Sequence, residues 1–344
     1  MIREAIGKVV AGGDLSESEM IEVMREIMTG QATDAQISGF ITALRMKGET
    51  VDEIVGAVRV MREKATFVDA GVDTAAGGIL MDIVGTGGDS SGTFNVSTTT
   101  SFVVAGAGIT VAKHGNRAVS SRCGSADVLE ALGVDLSMTP ERVGECIRSV
   151  GIGFLFAPML HGAMKYAIGP RREIGIRTIF NILGPMTNPA GANVQLTGVF
   201  APELIETVAR VLLRLGIRRT LVVWGEGNMD EMTVTGLTHV ADAHDGDIQV
   251  YTVAPEEVGL QRAAMEDIAG GSTPAEAAAQ VRDVLAGRES ARLDMVLLNA
   301  GASLMAGGKA DTISDGVSMA REVIRSGAAL ARLDALVDFC RRPR

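Results

Sequence analysis

The stretch Ile79-Leu-Met-Asp-Ile-Val-Gly-Thr-Gly-Gly-Asp-Ser-Ser-Gly-Thr-Phe-Asn-Val-Ser-Thr98 runs from an apolar strand through a glycine-rich loop into the first turn of a helix. Strand, tight loop and helix in that order are the first half of a parallel βαβ unit. Gly85, Gly87, Gly88 and Gly92 permit positive φ and close approach of a ligand to the backbone. Ser90, Ser91, Thr93, Asn95, Ser97 and Thr98 add side-chain donors. The helix predicted to begin near Ser97 offers unpaired N–H groups and the positive end of its dipole. These features together make an anion nest suited to phosphate. Two familiar phosphate loops are excluded. A dinucleotide fingerprint needs Gly or Ala where Ser90 stands, and a Walker loop needs Lys where Thr93 stands.

Outward from this loop the same alternation continues. Apolar runs at 79–84, 109–112, 194–200 and 220–224 read as strands, and 97–107, 125–132, 140–150 and 202–215 read as helices. That order predicts an α/β domain with a mostly parallel central sheet, whose ligands sit at the carboxyl ends of the strands. Beyond residue 255 the pattern is mainly helical, at 275–285, 293–305 and 313–324. The first seventy residues are predicted to be helical throughout. Three capping boxes announce helices there: Ser16 with Glu19, Thr33 with Gln36, and Thr50 with Glu53, each followed by apolar residues at helical spacing. The expected division is a small helical domain, 1–72, and a larger α/β domain, 73–344.

Composition narrows the class. The formal net charge of −10 argues against a nucleic-acid partner, which would require a basic face. It leaves room for an anionic small molecule, because single loops can be positive within an acidic protein. No apolar run reaches the roughly 18 to 20 residues of a membrane span. Met1 opens a helical pattern rather than a secretory signal. Cys123, Cys146 and Cys340 are odd in number and lack CxxC spacing, which fits a reducing cytoplasm and no disulfide framework.

Three further segments carry chemistry. Lys113-His-Gly-Asn-Arg-Ala-Val-Ser-Ser121 follows the second predicted strand. Its Lys113 and Arg117 supply charge, and Asn116, Ser120 and Ser121 supply neutral donors, as a substrate with several phosphates requires. His114 is read as a structural donor rather than a general base. Asp230-Glu231, just beyond the strand at 220–224, offers hard oxygen ligands of the kind that share Mg²⁺ with substrate phosphates. In the stretch from His161 to Pro189, either Arg171 or Arg172 can clamp a carboxylate in bidentate fashion.

Taken together, Gly-Thr-Gly-Gly-Asp89 with Asn95-Val-Ser-Thr98, Lys113 to Ser121, Asp230-Glu231, Arg177-Thr-Ile-Phe-Asn-Ile-Leu-Gly-Pro185 and Asn188-Pro189 resemble the anthranilate phosphoribosyltransferases of tryptophan biosynthesis, which are related in fold to nucleoside phosphorylases. The likeness covers nearly the whole chain. It implies a homodimer formed through the helical domain, which would also include an inserted segment near 165–190, with hinges joining it to the α/β domain. It implies transfer of the phosphoribosyl group of 5-phosphoribosyl 1-diphosphate to the amine of anthranilate. Carried over by motif, the substrate-binding residues would be Gly85, Gly88, Asp89, Thr93, Asn95, Val96, Ser97, Thr98, Lys113, His114, Gly115, Asn116, Arg117, Ala118, Val119, Ser120, Ser121 and Ser125, with Gly85, Asn116 and Arg171 meeting anthranilate. Ser97, Asp230 and Glu231 would be the Mg²⁺ ligands. Arg171 is preferred to Arg172 because it falls ten positions after His161, as in the family pattern. Ser125 stands where the family varies among small residues. A phosphorylase would not need the acidic pair, and a non-catalytic nucleic-acid binder would not carry this net charge.

Overall fold

The computed structural model describes residues 1–89, 91–117 and 123–342. Its first four helices are α1 (Ile2–Val10), α2 (Glu17–Met28), α3 (Asp34–Lys47) and α4 (Val51–Lys64). All three predicted capping boxes form, on Ser16, Thr33 and Thr50. Glu53 does more than close one of them. It is fully buried, and its carboxylate accepts from the N–H groups of Thr50 (2.7 Å) and Leu15 (2.9 Å). Lys47 Nζ pairs with it at 3.1 Å and reaches on to Asp14. One side chain therefore joins the loop before α2, the end of α3 and the start of α4.

The remainder is built on a seven-stranded sheet of order β3-β2-β1-β4-β5-β6-β7. Its strands are β1 (Leu80–Gly85), β2 (Thr110–Gly115), β3 (Ile152–Phe156), β4 (Val194–Gly198), β5 (Arg219–Gly225), β6 (Thr238–His244) and β7 (Asp247–Val253). The five strands from β3 to β5 are parallel, and β6 and β7 are antiparallel. Helix α5 (Val96–Gly106) follows β1, and α6 (Ser125–Leu132) and α7 (Pro140–Val150) lie between β2 and β3. The short α8 (Ala157–Leu160), α9 (Lys165–Ile174) and the short α10 (Phe180–Leu183) lie between β3 and β4, and α11 (Leu204–Arg214) between β4 and β5. The chain ends with α12 (Pro274–Leu285), α13 (Ala291–Ala306), α14 (Ile313–Arg325) and α15 (Ala328–Arg341).

Two cores result. One lies between one face of the sheet and α5, α6, α7 and α12 to α15. The other is shared by α1 to α4, by Ala167, Phe180 and Leu183, by α11, and by Val222, Ala241 and Ala243 on the opposite sheet face. Helix α9 thus packs on α2 and α3 although nearly a hundred residues or more separate them in sequence. No described helix is long and apolar enough to cross a membrane.

The predicted strands are present with shifted ends, but β3 and the β6–β7 pair, and helix α15, are additions to the sequence reading. The hairpin carries a legible signal. Asp245 and Gly246 both adopt positive φ, 52° and 86°, the requirement of a two-residue turn that Asp-Gly meets. β7 is a mainly exposed edge strand and so lacks the apolar run that marks the others.

Glu53→Ala leaves the buried Leu15 N–H and the part-buried Thr50 N–H without their acceptor and leaves Lys47 with Asp14 as its remaining carboxylate. It should lower stability by about 3 kcal/mol in urea denaturation, with Glu53→Gln intermediate. A loss no greater than that of an exposed helix substitution would show that Glu53 does not tie the three segments together.

Candidate active site

The carboxyl edges of β1 and β4 end in paired glycines, Gly85 beside Gly198. Both are required by what sits over them. A Cβ on Gly198 would overlap the backbone carbonyl of Asp230, and one on Gly85 would overlap the Asp230 carboxylate. Asp230 Oδ2 accepts from the Gly87 N–H at 2.6 Å, so the turn after β5 locks the start of the glycine loop. Gly87 and Gly88 have φ of 69° and 72°, a region that favours glycine. The far side of the loop is held by a backbone bond from Phe94 N–H to Ile268 (3.1 Å) and another from Gly270 N–H to Gly92 (2.9 Å).

Helix α5 begins at Val96, and the Ser97 N–H in its first turn donates to Glu231 Oε1 at 3.3 Å. Asp230 and Glu231 both hold their protons more tightly than ordinary carboxylates, and the neighbouring charge of Asp89 contributes to each. Burial first, then the charge of Asp89, pushes Asp230 up. Burial, then Asp230 and Asp89, holds Glu231 well above the usual carboxylate range. Lys113, buried on β2, is the nearest balancing cation; burial lowers its proton affinity while Asp82, Glu231 and Asp230 raise it. Its Nζ donates to the His114 carbonyl at 2.9 Å.

The donor set fits a hard divalent cation. Glu231 Oε2 is buried with no hydrogen-bond partner among the described residues, which is costly unless a cation or proton satisfies it. Among the described residues, no three Asp, Glu, His or Cys side chains would hold an ion by themselves. Mg²⁺ here would complete its shell with substrate oxygens and water.

Other predicted residues fall around the same edge. Asn95 Nδ2 donates to the Cys123 carbonyl (3.1 Å), and the Thr98 hydroxyl to Ser125 (2.9 Å). Thr93 bridges to Ala269. A Cβ on Gly115 would press on the Phe154 ring and on Ser125. Asn116 and Arg117 are exposed at the end of β2. The Arg117 charge is balanced by Asp127 and Glu130 at 2.9 and 3.0 Å. Ser90 and the predicted contacts Ala118, Val119, Ser120 and Ser121 lie outside the described residues. Arg171 lies in the last turn of α9, partly buried, with its guanidinium 5.2 Å from the centre of the Phe180 ring and no ion-pair partner among the described residues. Arg172 is exposed.

Three residues without an assigned role in the sequence reading join this framework. Asp82 is buried in β1 and accepts from the His114 N–H (3.0 Å) and Asn188 Nδ2 (2.7 Å). Burial pushes its carboxyl up to about 6 against the pull of Lys113 and those donors. A charged residue inside an apolar strand is the signal that could have found it. Arg177 donates to the Gly88 carbonyl and stacks 4.4 Å from the Phe200 ring centre. His114 and His161 meet at 3.2 Å between their Nε2 atoms, and His114 also donates to the Gly184 carbonyl. Burial lowers their values to about 3 and about 4. Both rings are therefore neutral near pH 7, and the His114–His161 contact is a neutral hydrogen bond.

Fold and site define a glycosyl-transfer enzyme with a helical bundle set on an α/β domain. Two family models match in that order: the glycosyl transferase family helical bundle domain over residues 3–65, and the glycosyl transferase family a/b domain over 77–330. The chain is 70% identical over 338 residues to the anthranilate phosphoribosyltransferase of Desulfotalea psychrophila (98% of this chain, 97% of that one). It is 56% identical to that of Trichlorobacter lovleyi, over 98% and 99%. Among solved structures, the Thermus thermophilus anthranilate phosphoribosyltransferase superposes with a TM-score of 0.92 at 47% identity, covering 98% and 99% of the two chains. The Saccharomyces cerevisiae enzyme in complex with PRPP and Mg gives 0.88 at 27%, covering 98% and 97%. The chain belongs to the anthranilate phosphoribosyltransferase family.

Gly198→Ala should displace the turn carrying Asp230 and Glu231. With the fold retained by circular dichroism, turnover should fall about a hundredfold, the usual cost of misplacing a site by an ångström. Unchanged turnover would show that the glycine pair does not set the position of the acidic residues.

Proposed function

We propose that this chain transfers the phosphoribosyl group of 5-phosphoribosyl 1-diphosphate to the amine of anthranilate, giving N-(5-phosphoribosyl)anthranilate and pyrophosphate in tryptophan biosynthesis. The observation that carries the reading is the meeting, at one sheet edge, of the glycine loop, the start of α5, Lys113 and the Asp230-Glu231 pair. Gly85, Gly88, Asp89, Thr93, Asn95 to Thr98, Lys113 to Arg117 and Ser125 would line the diphosphate sugar, and Ala118 to Ser121 would extend that lining. The yeast complexes with PRPP and Mg and with 4-fluoroanthranilate support this assignment.

The reaction breaks the bond from the anomeric carbon to the diphosphate oxygen and forms one to the anthranilate nitrogen, which then loses a proton. Transition states of this kind are oxocarbenium-like, so stabilising the leaving diphosphate matters more than activating the nucleophile. An aromatic amine is neutral near pH 7 and needs no strong base. Loop N–H groups, the start of α5 and Lys113 supply fixed positive potential toward the diphosphate. Arg171, carrying an unbalanced charge beside Phe180, would receive the anthranilate carboxylate, with Gly85 and Asn116 as its other contacts. Asp230, Glu231 and Ser97 would hold Mg²⁺, whose charge would offset that building on the leaving group.

The assembly reading is a homodimer through the helical domain. Its support is the exposure of Val10 (71%) on α1, Met46 (84%) on α3 and Ile168 (46%) on α9, with α3 adjoining both of the other helices. The packing of Ala167, Phe180 and Leu183 with α1 to α4 supports a helical part that 165–190 joins, divided from the rest at about residue 72. Closure about the connecting segments would exclude water from the activated sugar. A cytoplasmic location follows from the odd, unpatterned cysteines.

The direct test follows the loss of anthranilate fluorescence with phosphoribosyl diphosphate and Mg²⁺; no consumption would overturn the function. Asp230→Asn with Glu231→Gln should lower the rate by at least about a hundredfold and flatten its Mg²⁺ dependence. An unchanged rate and dependence would remove the metal assignment. Arg171→Ala should raise the KM for anthranilate about tenfold or more, as loss of a charge-assisted pair predicts, while the KM for phosphoribosyl diphosphate stays within twofold. Unaltered anthranilate kinetics would remove Arg171 from the substrate site.

A further inference from the structure

A cavity of about 380 Å³ opens between α2, α4 and the end of α11, away from the acidic pair and the glycine loop. Its polar lining is Arg25, Arg59, Arg62 and Glu63, and Ile21 and Leu215 contribute to its apolar wall. Three guanidiniums therefore face one carboxylate. That carboxylate is already shared, since Glu63 pairs with Arg25 at 3.0 Å and with Lys64 at 2.9 Å. Arg59 has Glu17 at 2.6 Å, but Glu17 also serves Arg214.

Arg62 differs from the other two. Its Nε donates to the Met186 carbonyl at 2.8 Å, and it forms no ion pair among the described residues. Burial and the adjacent Arg59 charge both work against its own charge. A guanidinium does not lose its proton in a protein, so the positive charge remains and needs an anion. Two arginines one helical turn apart, one of them without a carboxylate, present the planar donor forks that match an oxyanion.

The cavity's place separates it from the catalytic edge. Helix α11 returns from the carboxyl end of β4 and finishes just before β5, so Leu215 lies at the amino edge of the sheet. The strand β5 is seven residues long, which sets the two edges on the order of 20 Å apart.

We propose that Arg59 and Arg62 form a second anion site, which takes a small phosphate or carboxylate oxyanion independently of the diphosphate sugar. Through the Arg62 bond to Met186, an occupant would contact the segment by which the chain returns to β4. The site is independent of the transfer reaction, so its failure would leave that reading untouched.

Inorganic phosphate titrated calorimetrically into the full chain should reveal two classes of site. Arg62→Gln and, separately, Arg59→Gln should each weaken one class by about tenfold or more, with the KM for phosphoribosyl diphosphate unchanged. Arg59→Lys, which restores the charge, should recover part of that binding. Benzoate in place of phosphate distinguishes the sources, its binding being counted only where Arg62→Gln weakens it, because Arg171 also offers a carboxylate site: binding of phosphate alone assigns a phosphate ligand, and binding of benzoate alone a carboxylate. A single class of site for phosphate and none for benzoate, or two classes indifferent to both arginine variants, overturns the proposal. So does a parallel rise in the KM for phosphoribosyl diphosphate, because the titration would then be reporting the catalytic edge.

Discussion

The site depends on one steric constraint: Asp230 sits directly over the ends of two adjacent parallel strands, where only glycine leaves room. Gly85 and Gly198 are neighbours across the sheet, and both would collide with Asp230 if they carried a Cβ. Because the aspartate can descend that far, its carboxylate reaches the Gly87 N–H and fixes the turn into the phosphate loop. The next residue, Glu231, is then carried to the first turn of α5. Loop, helix start and acidic pair are thus placed by a single close contact between three strand ends.

That placement leaves an electrostatic imbalance. Asp230 and Glu231 sit where burial and the nearby charge of Asp89 disfavour their ionised forms, with Lys113 as the nearby buried cation and Asp82 competing for it. Such an arrangement is costly in the isolated chain and is relieved by positive charge. A substrate carrying phosphates adds further negative charge, so the imbalance argues for a divalent cation arriving with it. The unpartnered Glu231 Oε2 is the local sign of that demand. Arg117, by contrast, is balanced by Asp127 and Glu130, which makes it a brace for the start of α6 more than a free cation.

Much of this was legible in the sequence because the signals are local. The capping boxes of Thr33 and Thr50 need only four consecutive residues, and they form as written. The glycine loop reads as an anion cradle because its donors and its helix lie within twenty residues. What escaped was non-local. β3 is a five-residue run whose helix neighbours dominate the pattern, and β7 is an edge strand whose face is polar. The link from Asp82 to Asn188 spans 106 positions, and that from Arg177 to Gly88 spans 89. No periodicity encodes a contact at such a distance. The charge of Asp82 inside an apolar strand was nevertheless a readable anomaly, since a buried carboxylate needs partners from somewhere.

Those distant contacts share a geometry that bears on how the two cores communicate. Three of the passages between them lie near residues 65, 160 and 187, and these are bonded to one another: Thr66 N–H to Leu160 and Val68 N–H to Pro189. The passages near 160 and 187 also touch β2 or its neighbour β1. His161 meets His114, the Gly184 carbonyl accepts from His114, and Asn188 bridges Asp82 and the Ala112 carbonyl. A shift of the helical core relative to the sheet would therefore pull on β2 at His114, and on the glycine loop through the Arg177 bond to Gly88. Because both rings are neutral near pH 7, this connection is a hydrogen-bonded tether rather than an ionic one, and its strength should vary little with salt. The relative position of the two cores and the position of Lys113 are, on this structure, one mechanical problem.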